Sequence, residues 1–241
     1  MKKLFIFVLL VIGVGVLYYF FSLSKPVVNT QQTSNAITVA PLVSEYASTT
    51  YTEIKLSYPK SSATELPEIF NYVTATKADF IKNYANPSAQ DVIDLDLRNN
   101  GPYQLYMDTR LATSSKTVSY ILETYEFTGG AHGGTTINTF TYDLSTGKLV
   151  TIENVFTPSY LSVVAPMAKT YFTSSLGDNS QPSMIEDGTS ATTTNYSSWY
   201  LTDKTVVFIF GQYQVGPYVI GIQEFPIEKS SIQNILQAEY K

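Results

Sequence analysis

The spacing of apolar residues changes character several times along the chain. From Leu4 to Phe21 it is continuous: LFIFVLLVIGVGVLYYFF holds no charged residue. As a helix that run is about 27 Å long, close to the roughly 30 Å apolar core of a bilayer. It predicts a membrane helix over residues 4–21, with Lys2 and Lys3 on the inner side and Tyr18 and Tyr19 at an interface. A secretory signal peptide cut after Ser24 is the alternative for the same segment, and either one exports the rest of the chain. Residues 26–44 begin PVVNTQQTSNAITVA, uncharged and without periodicity, and predict a stalk linker.

Past the stalk the period shortens to two. In TYTEIKLSY, Thr52, Ile54, Leu56 and Tyr58 fall on one face, which predicts a strand stopped by Pro59. Between Glu65 and Tyr84 the period lengthens again, with Ile69, Val73, Phe80 and Tyr84 at helical spacing. Glu65 and Glu68 open that helix and Lys77 and Lys82 lie near its end, as the macrodipole prefers. Alternation then returns in three consecutive strands, 103–112, 117–128 and 135–144. A turn at 145–148 leads to a short strand at 149–152. A helix over 158–176 must be kinked or split by Pro166. Residues 173–198 read as a long exposed loop with some helix. Strands at 199–201, 205–210 and 218–227 follow, then a short helix at 230–238.

Helices and strands are segregated rather than alternating, which predicts an α+β fold. Its antiparallel sheets would carry helices packed on one side, preceded by one N-terminal transmembrane helix. The expected divisions are an anchor or signal peptide at 1–25, the linker at 26–44, and folded parts at 45–98 and 99–241.

Composition narrows the chemistry. The chain has 241 residues, 15 Lys and Arg, 20 Asp and Glu, one His and no Cys. The first 25 residues hold three lysines and no acid, so the exported part carries 12 basic against 20 acidic residues, a net charge of −8. Such a surface is not built to neutralise a phosphate backbone, so no nucleic-acid partner is expected. The absence of Cys removes disulfides, thiolate nucleophiles and Cys-ligated zinc, and a single His removes multi-His metal sites. No cofactor and no metal are expected.

Two segments stand out. Gly129-Gly130-Ala131-His132-Gly133-Gly134 sets the only histidine among four glycines between two strands, which permits positive φ and close backbone approach. Phe210-Gly211-Gln212-Tyr213-Gln214-Val215-Gly216-Pro217-Tyr218 interrupts a strong β run with a loop that displays aromatics, and Tyr is a favoured interface anchor. Gly130, His132, Gly133, Tyr213, Pro217 and Tyr218 are therefore the candidate ligand-binding residues. Asp91, Asp94 and Asp96 are a lesser candidate, since Asp94 and Asp96 would share one strand face and could serve a cation or acid–base chemistry. Glu186 and Asp187 give a weaker signal of the same kind. No catalytic residue is assigned.

The stretches YEFTGGAHGGTTINTFTYDLSTGKLVTIENVF and WYLTDKTVVFIFGQYQVGPYVIGIQEFPI resemble the bacterial domain of unknown function 3298. The preceding TYTEIKLSYPKSSATELPEIFNYVTATKADFIKNY is similar in outline to its companion, domain of unknown function 4163. Together the resemblance spans roughly residues 45–237. It implies an extracytoplasmic α+β module of two settings: the sensor region of lysozyme-binding membrane anti-sigma factors, and a region preceding peptidoglycan deacetylase domains. With only Met1-Lys2-Lys3 expected on the inner side, no sigma factor is an expected partner. The resemblance and the apolar N-terminus together imply a membrane-tethered, extracytoplasmic binding module of the cell envelope. Its expected partner is a cationic, lysozyme-like protein or a cell-wall glycan. The alternative is a peptidoglycan- or glycan-acting enzyme using His132 and a carboxylate.

Overall fold

The computed structural model describes residues 38–97, 100–177 and 181–241. The expected membrane helix at 4–21 and most of the stalk lie outside the described residues. Among the described residues no helix is long and apolar enough to cross a membrane.

Two sheets carry the fold. The first has six strands in chain order: β1 (Leu42–Ser48), β2 (Thr52–Pro59), β3 (Tyr103–Thr113), β4 (Thr117–Phe127), β5 (Gly134–Asp143) and β6 (Leu149–Val150). All neighbours are antiparallel except β2 and β3, which run parallel from Thr52 opposite Tyr103 to Leu56 opposite Met107. The sheet is therefore mixed, not purely antiparallel as the sequence suggested. A parallel pair needs a long crossover, and helices α1 (Pro67–Tyr84) and α2 (Ala89–Asp94) supply it.

Helix α1 starts with Pro67 in its first turn, after Leu66 at φ 54°, and has Glu68 near its N-terminus and Lys82 near its C-terminus. Its Ile69, Val73 and Phe80 pack onto Ile54 and Leu56 of β2, Leu105 and Met107 of β3, and Val118, Tyr120 and Leu122 of β4. The period of two then puts Lys55, Tyr106, Asp108, Glu123 and Tyr125 on the opposite face.

The second sheet is antiparallel, in the order β7 (Trp199–Leu201), β8 (Thr205–Phe210), β9 (Gln223–Glu228). Val206, Phe208 and Phe210 enter a core with Tyr160, Val164, Ala168 and Phe172 of α4 (Tyr160–Ser175) and Ile185 of α5 (Pro182–Gly188). A single-turn helix, α3 (Ile152–Val155), adds Val155 to that core. Pro166 does not split α4, which runs unbroken through it. Pro166 and Ser162, one turn earlier, are both exposed, so the carbonyl left without a helical N–H faces water.

Each sheet thus has helices on one face, and the sheets approach each other through the others. β7 meets the first sheet: the Trp199 N–H donates to Thr139 Oγ1 at 3.0 Å and the Ser198 hydroxyl to the Ile137 carbonyl at 3.0 Å. Arg110 of β3 bridges the sheets, pairing with Glu123 at 3.1 Å and with Glu224 of β9.

Three expectations change at the level of elements. Leu42–Ser48 is a strand rather than linker as far as residue 44. The strand expected from 218 starts only at Gln223, because Pro217 turns the chain into a 3-10 turn at Tyr218–Ile220 that ends on Gly221 at φ 68°. The helix expected at 230–238 is instead two 3-10 turns, Lys229–Ser231 and Ala238–Tyr240.

Candidate functional site

Two loops, far apart in sequence, meet at one end of the sheets. The first joins β4 to β5. Gly130 has φ 90°, a conformation open to glycine and costly for other residues. Gly133 is buried, and a Cβ there would lie 2.5 Å from the Glu126 carbonyl oxygen and 2.5 Å from the Tyr125 ring. The backbone therefore presses onto β4, and this sets the exposed His132 at the tip.

The second loop joins β8 to β9 and is held by glutamines. Gln214 accepts from the Gly211 N–H at 2.9 Å and donates to the carbonyls of Gly188 at 3.2 Å and Asn195 at 3.0 Å. Gln212 accepts from the Thr135 N–H at 2.9 Å, which ties this loop to the start of β5. Between them Tyr213 sits at φ 63° and is 52% exposed, a left-handed conformation that is uncommon for a bulky residue. Pro217 then leads into the turn carrying Tyr218 and Val219, the latter 83% exposed.

The rings converge. His132 stacks on Tyr218 with centroids 4.0 Å apart and planes at 23°, and Tyr213 lies 5.6 Å from Tyr218. His132 Nδ1 is 2.9 Å from the Gly133 carbonyl. A carbonyl only accepts, so Nδ1 carries a hydrogen; Nε2 lies 3.4 Å from the Tyr213 hydroxyl. The structure thus brings His132, Tyr213 and Tyr218 together as an aromatic knob, with Gly130, Gly133 and Pro217 shaping its two loops. Among the described residues, no carboxylate hydrogen-bonds to His132.

The acidic candidates go elsewhere. Residues 91–94 lie in α2 and not on a strand face: Asp91 closes a capping box with Ser88, and Asp94 accepts from Gln90 at 2.7 Å. Glu186 pairs with Lys169, and the Asp187 carbonyl accepts from Asn195 at 2.8 Å. No group of three or more metal-ligating side chains occurs among the described residues.

Sequence reasoning missed a second feature, on the face of the first sheet turned away from α1. A groove of about 660 Å³ there is lined by Tyr46, Lys55, Tyr106, Asp108, Glu123 and Tyr125, among others. Tyr106 and Tyr125 stack at 5.8 Å, and Lys55 Nζ lies 4.9 Å from the Tyr106 ring centroid. Tyr106 donates its hydroxyl to Glu53, and Lys55 pairs with Glu53 at 2.8 Å. The Lys55 ammonium, with the Tyr106 hydroxyl, holds the Glu53 carboxyl below the usual carboxylate range. Alternation along β3 and β4 was the available signal, but Lys55 comes beside Tyr106 only through the parallel β2–β3 pairing, a long-range property.

Residues 153–230 match the family described as Protein of unknown function (DUF3298), and residues 45–135 match the family described as Deacetylase PdaC. Residues 153–230 thus carry a segment of DUF3298 type. The chain is 27% identical over 140 residues to the peptidoglycan-N-acetylmuramic acid deacetylase PdaC of Bacillus subtilis (strain 168), a match over 57% of this chain and 30% of that protein. It is 25% identical to the esterase Rv3036c of Mycobacterium tuberculosis over 73% of each chain. Its fold is shared with a DUF3298 member from Bacteroides fragilis, at TM-score 0.54 and 17% identity over 82% of this chain and 92% of the other. A DUF3298 protein of Pseudomonas aeruginosa PAO1 gives TM-score 0.51 and 13% identity, over 86% and 98%. The knob straddles the two matched regions: His132 falls in the PdaC-type segment, and Tyr213 and Tyr218 fall in the DUF3298 segment.

Proposed function

We propose that this chain is an extracytoplasmic binding module of the cell envelope, tethered by residues 4–21, and that the His132–Tyr213–Tyr218 knob is its partner-binding element. The observation that carries this is the exposure of a stacked, preorganised aromatic cluster on a projecting loop, with Val219 83% exposed beside it. Soluble domains seldom hold bulky apolar groups in this way without a partner, and aromatic anchors on a convex loop suit a cleft in another molecule. The net charge of −8 beyond residue 25 favours a cationic protein of lysozyme type through electrostatic steering. The PdaC relative, named for action on peptidoglycan, supports the envelope setting and keeps a cell-wall polymer as the other ligand to test.

Calorimetric titration of the full chain with a lysozyme, at low and at physiological salt, tests the protein partner. Saturable binding that weakens with salt is expected, and no binding at low salt rejects it. Co-sedimentation with purified peptidoglycan tests the polymer.

An enzymatic role has one observation in its favour. The Tyr213 hydroxyl lies 3.4 Å from His132 Nε2, a contact that acid–base chemistry could use. It predicts muropeptide release or ester turnover that His132→Ala abolishes; activity unchanged in that variant, or none in the parent chain, discards it.

A further inference from the structure

The groove on the face of the first sheet turned away from α1 contains a local imbalance. Asp108 and Glu123 stand directly opposite one another across β3 and β4, and like charges in that position cost stability. Arg110 answers Glu123 at 3.1 Å but carries its far end to Glu224. Among the described residues, the Asp108 carboxylate keeps only the N–H of Thr109, at 2.9 Å. Around this face four carboxylates, of Glu53, Asp108, Glu123 and Glu224, meet two cations, Lys55 and Arg110.

Lys55 shows what such a place holds. Its ammonium lies 4.9 Å from the Tyr106 ring and 5.9 Å from that of Tyr46, against the Glu53 carboxylate at 2.8 Å. One strand further on, Tyr125 and the Asp108–Glu123 pair repeat the same components, a ring and carboxylates. There the position beside Asp108 is left without a cation of its own among the described residues.

We propose that this groove binds an oligosaccharide bearing free amino groups. The tyrosine rings offer flat apolar faces to the apolar faces of sugar rings. Asp108 and Glu123 accept from an ammonium and from hydroxyls, and these charge-assisted bonds are the strong ones. From β1 to β4 the strip is about 14 Å across, three strand spacings, enough for a short chain rather than one sugar. An N-acetylated glycan becomes such a ligand when water cleaves its amide, releasing acetate and leaving the amine, so a glycan deacetylation would supply it. The site lies beside the knob and needs none of the knob's ring contacts.

Titration of the full chain with a glucosamine tetramer, an N-acetylglucosamine tetramer and tetralysine tests this. The glucosamine tetramer is expected to bind at least tenfold more tightly than either of the others. Asp108→Asn, exposed and still able to accept from Thr109, removes that preference. Tyr46→Ala, at a residue 63% exposed, weakens binding of both sugars. Tyr218→Ala leaves the sugar affinities unchanged, which separates this site from the knob. Absence of sugar binding, equal affinity for the acetylated tetramer, equal affinity for tetralysine, or a preference that survives Asp108→Asn would each overturn the proposal.

Discussion

Tyr213 combines a costly backbone with an exposed side chain. At φ 63° a non-glycine residue gives up roughly 1–2 kcal/mol, and its ring, 52% exposed, returns little of that through burial. Strain kept in this way tends to mark functional positions. Tyr213→Gly is therefore expected to raise the urea midpoint, by about 1 kcal/mol in stability, while weakening partner binding. A variant that loses stability instead would mean that the ring contacts to His132 and Tyr218 outweigh the backbone term. Asp143 shows a different economy at the same scale. Burial raises its pKa, but the Ser145 and Thr146 hydroxyls and N–H groups outweigh this and hold the carboxyl below its usual range. Four hydrogen bonds to one oxygen fix the β5–β6 turn.

At the scale of elements the knob depends on two close approaches. Gly133→Ala would drive a methyl into the Glu126 carbonyl and the Tyr125 ring, a cost of about 1–3 kcal/mol readable in the denaturation midpoint. Gly188 in α5 is tighter still, its Cβ position lying 1.8 Å from the Gln214 carbonyl, so Gly188→Ala should displace the 210–218 loop and weaken partner binding without touching an exposed residue. Much of this level was legible in the chain. Ile69, Val73 and Phe80 announced α1 by period, and the meander from Tyr103 to Asp143 announced itself by alternation and by its turns. The two knob loops were visible because glycine, proline and tyrosine interrupt strong β patterns. β1 was not visible: Leu42–Ser48 is an edge strand with mostly exposed side chains, so burial imposes little alternation on it. The crossover helix was visible, but not that it returns the chain parallel to β2, and that unseen pairing hid the groove where Lys55 of β2 lies opposite Tyr106 of β3. Pairings between distant strands leave no local trace.

The whole molecule should weaken at both extremes of pH, for opposite reasons. Glu53, beside Lys55, Asp143 in its turn and Asp203, which accepts from the Ser115 N–H at 2.6 Å, all have lowered pKa values. A folded pKa below the unfolded one gives stability that is present above the unfolded value and lost as pH falls through the folded value. The urea midpoint is therefore expected to drop between about pH 5 and pH 2, and Asp143→Asn should flatten part of that slope. Tyrosines act in reverse. Burial pushes Tyr240 up to about 12 and raises Tyr142 and Tyr196 further, so their contribution is complete below the ordinary tyrosine range near about pH 10 and disappears above it. Fluorescence-monitored unfolding across both ranges checks the two limbs.

The molecule thus presents two surfaces, an aromatic knob formed by loops of both sheets and a groove lined by tyrosines and carboxylates on one face of the first sheet. The central claim concerns the knob, and one comparison tests it most directly: calorimetric titration of a lysozyme into the full chain and into its Tyr218→Ala variant at low salt. Saturable binding by the parent chain is predicted, with affinity reduced about 30-fold or more in the variant, as expected for a hot-spot aromatic. No saturable binding by the parent, or equal affinity in the variant, would contradict it.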